Sequence, residues 1–398
     1  MANLFARLAG RSPRAPTEAK QSRTAAIFSM GLSYARPQPR EATALVRQGY
    51  ERNPIVFRSV RMIAESVANV PWLLYENGRE KNDHPLMRLL RMPGGSRSGV
   101  EFIEILVTDL LLFGNAYVEA VTIDGVPREF HILRPDRISI VPGGNGWPLA
   151  YEYAVGASKA RFAVTDNAIL HLKLFSPLDD HYGHSPLAAA ETALDTHHAA
   201  SVWNRALLEN AARPSGALVY AGPDGAALSD EQFDRLKIEL DESFSGMRNA
   251  GRPLLLEGGL DWKALSLTPK ELDFVEAKAA AAREIALALG VPPLVLGLPG
   301  DNTYSNYQEA NRAFWRTTVL PFVHRLQAAF NSWMANKYEN VEWRANLDSL
   351  DALASERAAE WARLGAADFL TRDEKREAVG YGPLGVSGLP HQPAASSQ

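Results

Sequence analysis

The 398-residue chain contains no cysteine. Disulfides, thiolate metal sites and cysteine nucleophiles are therefore excluded, and a reducing compartment suits it. No run approaches the roughly 18 consecutive apolar residues of a membrane-spanning helix. The dipeptide Gly-Lys never occurs, so there is no phosphate-cradling G-x-x-x-x-G-K-[ST] loop. H-E-x-x-H and G-x-S-x-G are absent too. These absences predict a protein that is not an enzyme and uses no cofactor, metal or membrane. A strong positive balance is also missing: the net charge is −4, with 22% charged and 46% hydrophobic residues. That is ordinary for a globular protein. It argues against a tight, sequence-reading DNA binder, which needs concentrated cations to meet phosphates.

Acidic residues are scarce in one place. The first forty residues hold Arg7, Arg11, Arg14, Lys20, Arg23, Arg36 and Arg40 against Glu18 alone. There is no continuous apolar stretch there to make a secretory signal. The composition reads as a flexible basic arm over 1–40, with a transit peptide as the alternative.

From Asn53 the pattern is that of a folded protein. Val56, Val60, Ile63, Ala64 and Val67 recur at helical spacing after Asn53-Pro54, and Pro71 stops the helix. Trp72–Tyr75 with Asn77-Gly78 reads as a strand and a hairpin turn. Residues 100–113 are apolar on nearly every side, as in a fully buried helix. Strands follow at 116–121, 137–141, 151–155 and 168–172, with a turn at Asp124-Gly125.

The texture then changes to long helices. Ser185-Pro186 opens one that can run to about Ala211, roughly 39 Å. A small α/β insert occupies about 213–267, with a capping box at Ser229 and Gln232. Thr268, Pro269 and Glu271 start the next helix, which Gly290-Val291-Pro292-Pro293 ends. It is rich in alanine (Ala277, Ala279, Ala280, Ala281, Ala282, Ala286, Ala288), which favours helix and close approach. A third long helix, about 305–336, contains Pro321, whose ring predicts a kink. A strand at 342–345, a helix from Asp348 to about Leu364, and a short helix capped by Thr371 and Glu374 complete the folded part. The tail from 386 to 398 reads as disordered.

Three clusters resemble catalytic or metal sites. Asp179, Asp180, His181 and His184 are metal-ligand types, but the segment is a turn beside Pro177, where Asp and His are common for local reasons. His197 and His198 are adjacent on a helix and point apart, so they read as structural. Pro223-Asp224 with Asp261-Trp262-Lys263 mimics a Mg²⁺-dependent nuclease pattern, although Pro223-Asp224-Gly225 is also a good β-turn.

Five segments occur together in a familiar order. Leu111-Leu112-Phe113-Gly114-Asn115-Ala116-Tyr117 resembles the "LLxGNAY" segment of portal proteins of long-tailed bacteriophages, the siphovirus-type portal family. Gly183-His184-Ser185-Pro186-Leu187 is similar to that family's "GxSPL" turn, and Gly290-Val291-Pro292-Pro293 with Leu296-Gly297 to its "GVPPxLLG" segment. Ser305 to Phe314 with Leu320-Pro321 resembles the long tunnel helix. Leu370-Thr371-Arg372-Asp373-Glu374-Lys375-Arg376 resembles the C-terminal "LTxNEaR" helix. Tyr307-Gln308-Glu309 departs from the family's usual Glu-Gln at that point.

The resemblance implies an α+β portal-type fold. It has an α/β wing (41–184), two long stem helices (185–212 and 268–290) and a small α/β clip (213–267). It also has a tunnel loop region (291–304), a kinked tunnel helix with the last wing strand (305–346), and a short helical crown (347–385). It implies a ring of about twelve copies, closed by heterologous contacts, at one vertex of a virion, phage or gene transfer agent head assembled in the bacterial cytoplasm. Double-stranded DNA would pass through it during packaging and ejection. A terminase motor, a head–tail adaptor and the major capsid protein would be its partners. The loop facing DNA would be Leu298, Pro299, Gly300, Asp301, Asn302, Thr303 and Tyr304. With one charge, such a loop touches phosphates without gripping them. The alternatives are a metal-dependent DNA nuclease and another head–tail connector ring protein.

Overall fold

Among the described residues the first element is an α-helix that sequence periodicity does not announce, α1 (Arg40–Gly49). A computed structural model describes residues 40–144, 146–209, 216–220, 229–244, 260–264, 274–299 and 304–379. The basic arm before residue 40 and the tail after 379 lie outside the described residues.

Helix α2 (Pro54–Ala68) begins as its sequence dictates. Asn53 Oδ1 accepts from the amides of Ile55 and Val56 at 2.9 and 3.3 Å, and Pro54 fills the first turn, where no donor is needed. Val56, Val60, Ile63, Ala64 and Val67 are fully buried. Strand β1 (Trp72–Glu76) turns back to β2 (Arg79–Glu80) through Asn77 and Gly78, both with positive φ, the requirement of a type I′ hairpin. Helix α3 (Pro85–Arg91) leads to α4 (Gly99–Phe113), capped by the Ser98 hydroxyl. Helix α4 buries Phe102, Ile103, Leu106, Val107 and Leu110–Leu112, while Glu104, Ile105, Thr108 and Asp109 are half-buried and Val100 and Glu101 face solvent, so it is not buried on every side.

Two three-stranded antiparallel sheets follow. In one, β3 (Asn115–Ile123) lies between β4 (Val126–Leu133) and β8 (Ile169–Lys173); the other runs β5 (Ile138–Pro142), β6 (Pro148–Val155), β7 (Ser158–Ala163). Sequence alternation misses β4 and β7 for physical reasons. Strand β4 carries Pro127 and a run of exposed charge at Arg128-Glu129, and β7 is an edge strand with four exposed residues at its start.

The helix expected without interruption from 185 is broken at Ala190. Helix α5 (Pro186–Ala189) ends where the Ala190 amide turns to the Leu187 carbonyl, a three-residue step, and α6 (Glu191–Glu209) starts anew. The insert contains β9 (Gly216–Tyr220), α7 (Asp230–Phe244) and β10 (Leu260–Ala264), with β9 and β10 antiparallel and the Ser229–Gln232 capping box formed. Helix α8 (Phe274–Ala288) packs along α6. Ala193, Leu194, His197 and Ala200 on α6, and Ala281, Ala282, Ile285 and Ala286 on α8, are buried. The expected start at Thr268 lies outside the described residues.

The third long helix is continuous but not uniform. Helix α9 (Tyr304–Phe314) passes through a π-turn, Trp315–Val319, into α10 (Leu320–Met334). Asn331 of α10 completes the edge of β11 (Val341–Ala345), donating to Trp343 O and accepting from Trp343 N at 2.9 and 2.8 Å. Strand β11 pairs with β1, which ties the C-terminal half to the first helices. Phe102, Phe130, Phe330, Trp333 and Trp343 gather in one aromatic cluster at this junction.

Asp348 does not cap the next helix. Two 3₁₀ turns intervene, which swing Leu350 and Leu353 into the core, and α11 (Ala354–Gly365) begins later; Asp348 pairs with Arg357 instead. Helix α12 (Arg372–Ala378) carries the expected Thr371–Glu374 capping box.

Among the described residues six polar side chains are buried: Asn53, Ser59, Asn115, Ser185, His197 and Thr318. Most stand where two elements meet, and the tightest junction is glycine on glycine. A Cβ on Gly183 would fall 2.1 Å from Gly114 O, and one on Gly114 2.5 Å from Gly183 O. Changing Gly183 to alanine should therefore destabilise the chain by more than about 3 kcal/mol, against about 1–3 kcal/mol for Ser185→Ala, which removes a helix cap and the hydrogen bond to Leu111 O. Urea denaturation of the two variants checks the ranking.

Candidate functional site

Four of the five sequence segments meet in pairs. At the first meeting point, α4 ends at Gly114, whose φ of 72° only glycine adopts without strain. Asn115 then bridges to the segment before α5. Its Oδ1 accepts from Gly183 N at 2.8 Å and from His171 Nε2 at 3.0 Å, while its Nδ2 donates to Phe113 O and Gly183 O at 2.9 and 3.3 Å. Ser185 Oγ donates to Leu111 O at 2.9 Å and accepts from Leu187 N at 3.0 Å, capping α5 while tying it to α4. One amide and one hydroxyl thus fix where the helical pair leaves the α/β body.

The second meeting point is where that pair returns. Helix α8 stops at Gly290, with φ 74°. The buried Thr318 hydroxyl, inside the π-turn, donates to Gly290 O. A Cβ on Gly290 would meet Thr318 Oγ1 at 2.8 Å. The π-turn has a local cause. Pro321 has no amide and its ring crowds the carbonyl four residues back. Upstream the hydrogen bonding widens, so that Leu320 N donates to Trp315 O.

Of the expected DNA-facing loop, Leu298, Pro299 and Tyr304 fall among the described residues. Leu298 is half-buried and its amide donates to Pro293 O at 3.0 Å. Pro299 O accepts from Arg283 Nη2 of α8 at 2.8 Å. Gly300, Asp301, Asn302 and Thr303 lie outside the described residues, and Tyr304 is the first residue of α9. Leu298, Pro299, Arg283, Lys278, His197, Pro54 and Ile55 help to line a recess of about 340 Å³ between α2, the helical pair and the loop's root. Farther along α9, Arg312 binds Glu309, Ser355 and Glu356, and Arg316 also faces Glu356, which joins this helix to α11.

Two of the other candidates, the Asp179–His184 turn and His197, take part in local structure. Asp179 Oδ1 accepts from the amides of His181 and Tyr182 at 2.8 and 2.9 Å, an Asx-type turn. Among the described residues no three His, Asp or Glu side chains gather as a metal would need. His197 Nδ1 accepts from Asn53 Nδ2 at 3.2 Å, which orients the cap of α2. Asp261 and Lys263 lie on β10, and Pro223-Asp224 lies outside the described residues. No described helix is long and apolar enough to cross a membrane.

Several residues at the junctions escape a sequence reading. Arg283 and Thr318 look like ordinary helix residues, because what they bind is a distant backbone carbonyl. Asp109 leaves a signal: with Glu104 it is one of two carboxylates in the otherwise mostly apolar stretch from Phe102 to Phe113. Burial pushes its pKa well above the usual carboxylate range, and its Oδ2 is buried without a hydrogen-bond partner.

The chain thus combines a mixed α/β body, an α6–α8 helical pair and a long π-bulged helix. The phage portal protein family model matches residues 54–380. An uncharacterized protein of Rickettsia bellii is 42% identical over 338 residues, which cover 83% of this chain and 87% of that one. The probable portal protein of Streptomyces phage phiC31 is 26% identical, covering 83% of this chain and 74% of its own length. A solved structure, the neck of a native gene transfer agent particle computed with C12 symmetry, contains a chain 49% identical to this one. The TM-score is 0.70, with coverage of 91% of this chain and all of that one. The chain belongs to the phage portal protein family.

Two outcomes test the junctions. Thr318→Val keeps the shape but leaves the Gly290 carbonyl unpaired, and should cost about 1–3 kcal/mol in urea denaturation. His171 is held neutral: burial, then Lys173 and His181, push its pKa down to about 3. Below the ordinary imidazole value of about 6.5 the unfolded chain takes up a proton that the folded chain refuses. Stability is therefore full above that pH and lost progressively as it falls. His171→Gln should flatten the pH dependence of the urea midpoint between about pH 6 and 4; equal slopes in the two proteins would refute the assignment.

Proposed function

We propose that this chain is one subunit of a ring of about twelve copies at a single vertex of a phage-like head, where it forms the channel for double-stranded DNA. The observation that carries the reading is the extent of the family match, which includes the helical pair and the long π-bulged helix as well as the α/β body. The wing is then 41–184 with β11, the stem α5, α6 and α8, the clip the insert of β9, α7 and β10, and the crown α11 and α12. Similarity over the full length of a gene transfer agent neck chain favours a particle of that kind.

The chemistry suits a passive conduit. The sequence carries no nucleotide-binding loop, so ATP hydrolysis falls to a partner terminase. A head–tail adaptor and the major capsid protein are the other partners such a position requires. The stem exposes apolar side chains at Val202, Trp203, Val275 and Leu287, which neighbouring copies would cover.

Deleting residues 298–304 should leave the rings intact by electron microscopy and reduce the fraction of DNA-filled particles. Normal filling and retention without these residues would overturn their role in the channel.

A further inference from the structure

We infer that Arg283 is a positioning residue that ties the root of the tunnel loop to the second stem helix. The inference rests on the channel reading above and goes beyond it, since nothing in that reading gives the stem a hold on the loop.

Two hydrogen bonds fix the root. The Leu298 amide donates to Pro293 O at 3.0 Å, inside the segment that ends the stem. One residue on, Pro299 O accepts from Arg283 Nη2 at 2.8 Å, while Nη1 of the same guanidinium donates to Ala279 O at 3.3 Å, one turn back along α8. Two arms of one planar group therefore hold a helix carbonyl and a loop carbonyl together. Among the described residues Arg283 has no carboxylate partner. Its bonds here are both to backbone oxygens, so the contact is insensitive to which side chains the loop carries. Lysine could not make it in the same way, because it presents a point charge rather than a fork.

The far end is fixed as well. Tyr304 begins α9, and Arg312 and Arg316 hold that helix to Glu356 of the crown. Between Pro299 and Tyr304 there are five residue steps, at most about 18 Å of chain. The Pro299 carbonyl, held by the stem, and the tunnel helix are thus joined by a short link. Arg283 sets where that link starts, so a displacement of the upper stem is passed to the loop and to the tunnel helix instead of being absorbed at the root. A terminase or adaptor acting on the clip end of the stem would be felt in the channel by this route.

The test uses full-length protein in assembled particles, with Arg283→Met and Arg283→Lys. Arg283→Met should keep ring size and the exchange of stem amides in 280–288. Exchange of the Leu298 amide should rise by about tenfold, the loss expected for one charge-assisted hydrogen bond, and the fraction of DNA-filled particles should fall. Arg283→Lys should lie between Met and wild type in both measurements. Unchanged exchange at Leu298 would overturn the tether. Faster exchange with normal DNA filling would overturn its functional part. A chain whose filling is insensitive to deletion of 298–304 would defeat the channel reading itself, a result separable from either.

Discussion

At Gly114 and Gly183 two backbone segments pass so closely that neither tolerates a Cβ, and the architecture depends on that contact. Close approach buries peptide groups, and a buried peptide group without a partner costs as much as a lost hydrogen bond. Asn115 meets that cost by bonding both the amide and the carbonyl of Gly183, and Ser185 does so for the Leu111 carbonyl. A helical pair that projects from a domain has little core of its own. Its base packs into the main core through Leu187, Leu194, Ile285 and Leu289, and specific hydrogen bonds there fix its direction.

The same device recurs where the pair returns. Gly290 and Thr318 bring the end of α8 against the π-turn of the long helix, and Asn331 holds the last strand farther along that helix. The α/β body, the base of the helical pair and the long helix thus share one apolar core, and small polar junctions fix how they meet within it. Such junctions favour one geometry strongly, since moving a partner by an ångström leaves a buried carbonyl unpaired. A subunit built this way presents a constant shape to its neighbours, which closure of a ring requires: any angular error is multiplied by the number of copies.

Much of this was legible in the sequence. The caps at Asn53, Ser185, Ser229 and Thr371, the glycine stop at Gly290 and the Asn77-Gly78 hairpin all follow from local rules, because each is decided within four or five residues. The parts that were not legible depend on distant partners. Strand β7 is polar and exposed and owes its existence to β6. The break at Ala190 and the 3₁₀ turns before α11 come from packing that local propensity does not encode. At the site, the sequence placed Leu298 to Tyr304 in one loop. Leu298 and Pro299 are held to the end of α8 through Pro293 and Arg283, and only the carbonyl positions reveal it.

The central claim is that the stem of one copy is completed by its neighbours around a hollow axis. Native mass measurement of the full-length protein, paired with averaged electron micrographs of the same sample, tests it most directly. The account predicts a closed ring of about twelve copies with an open centre. A protein that remains a single globule when purified, and that forms no ring at the vertex of intact particles, would contradict it.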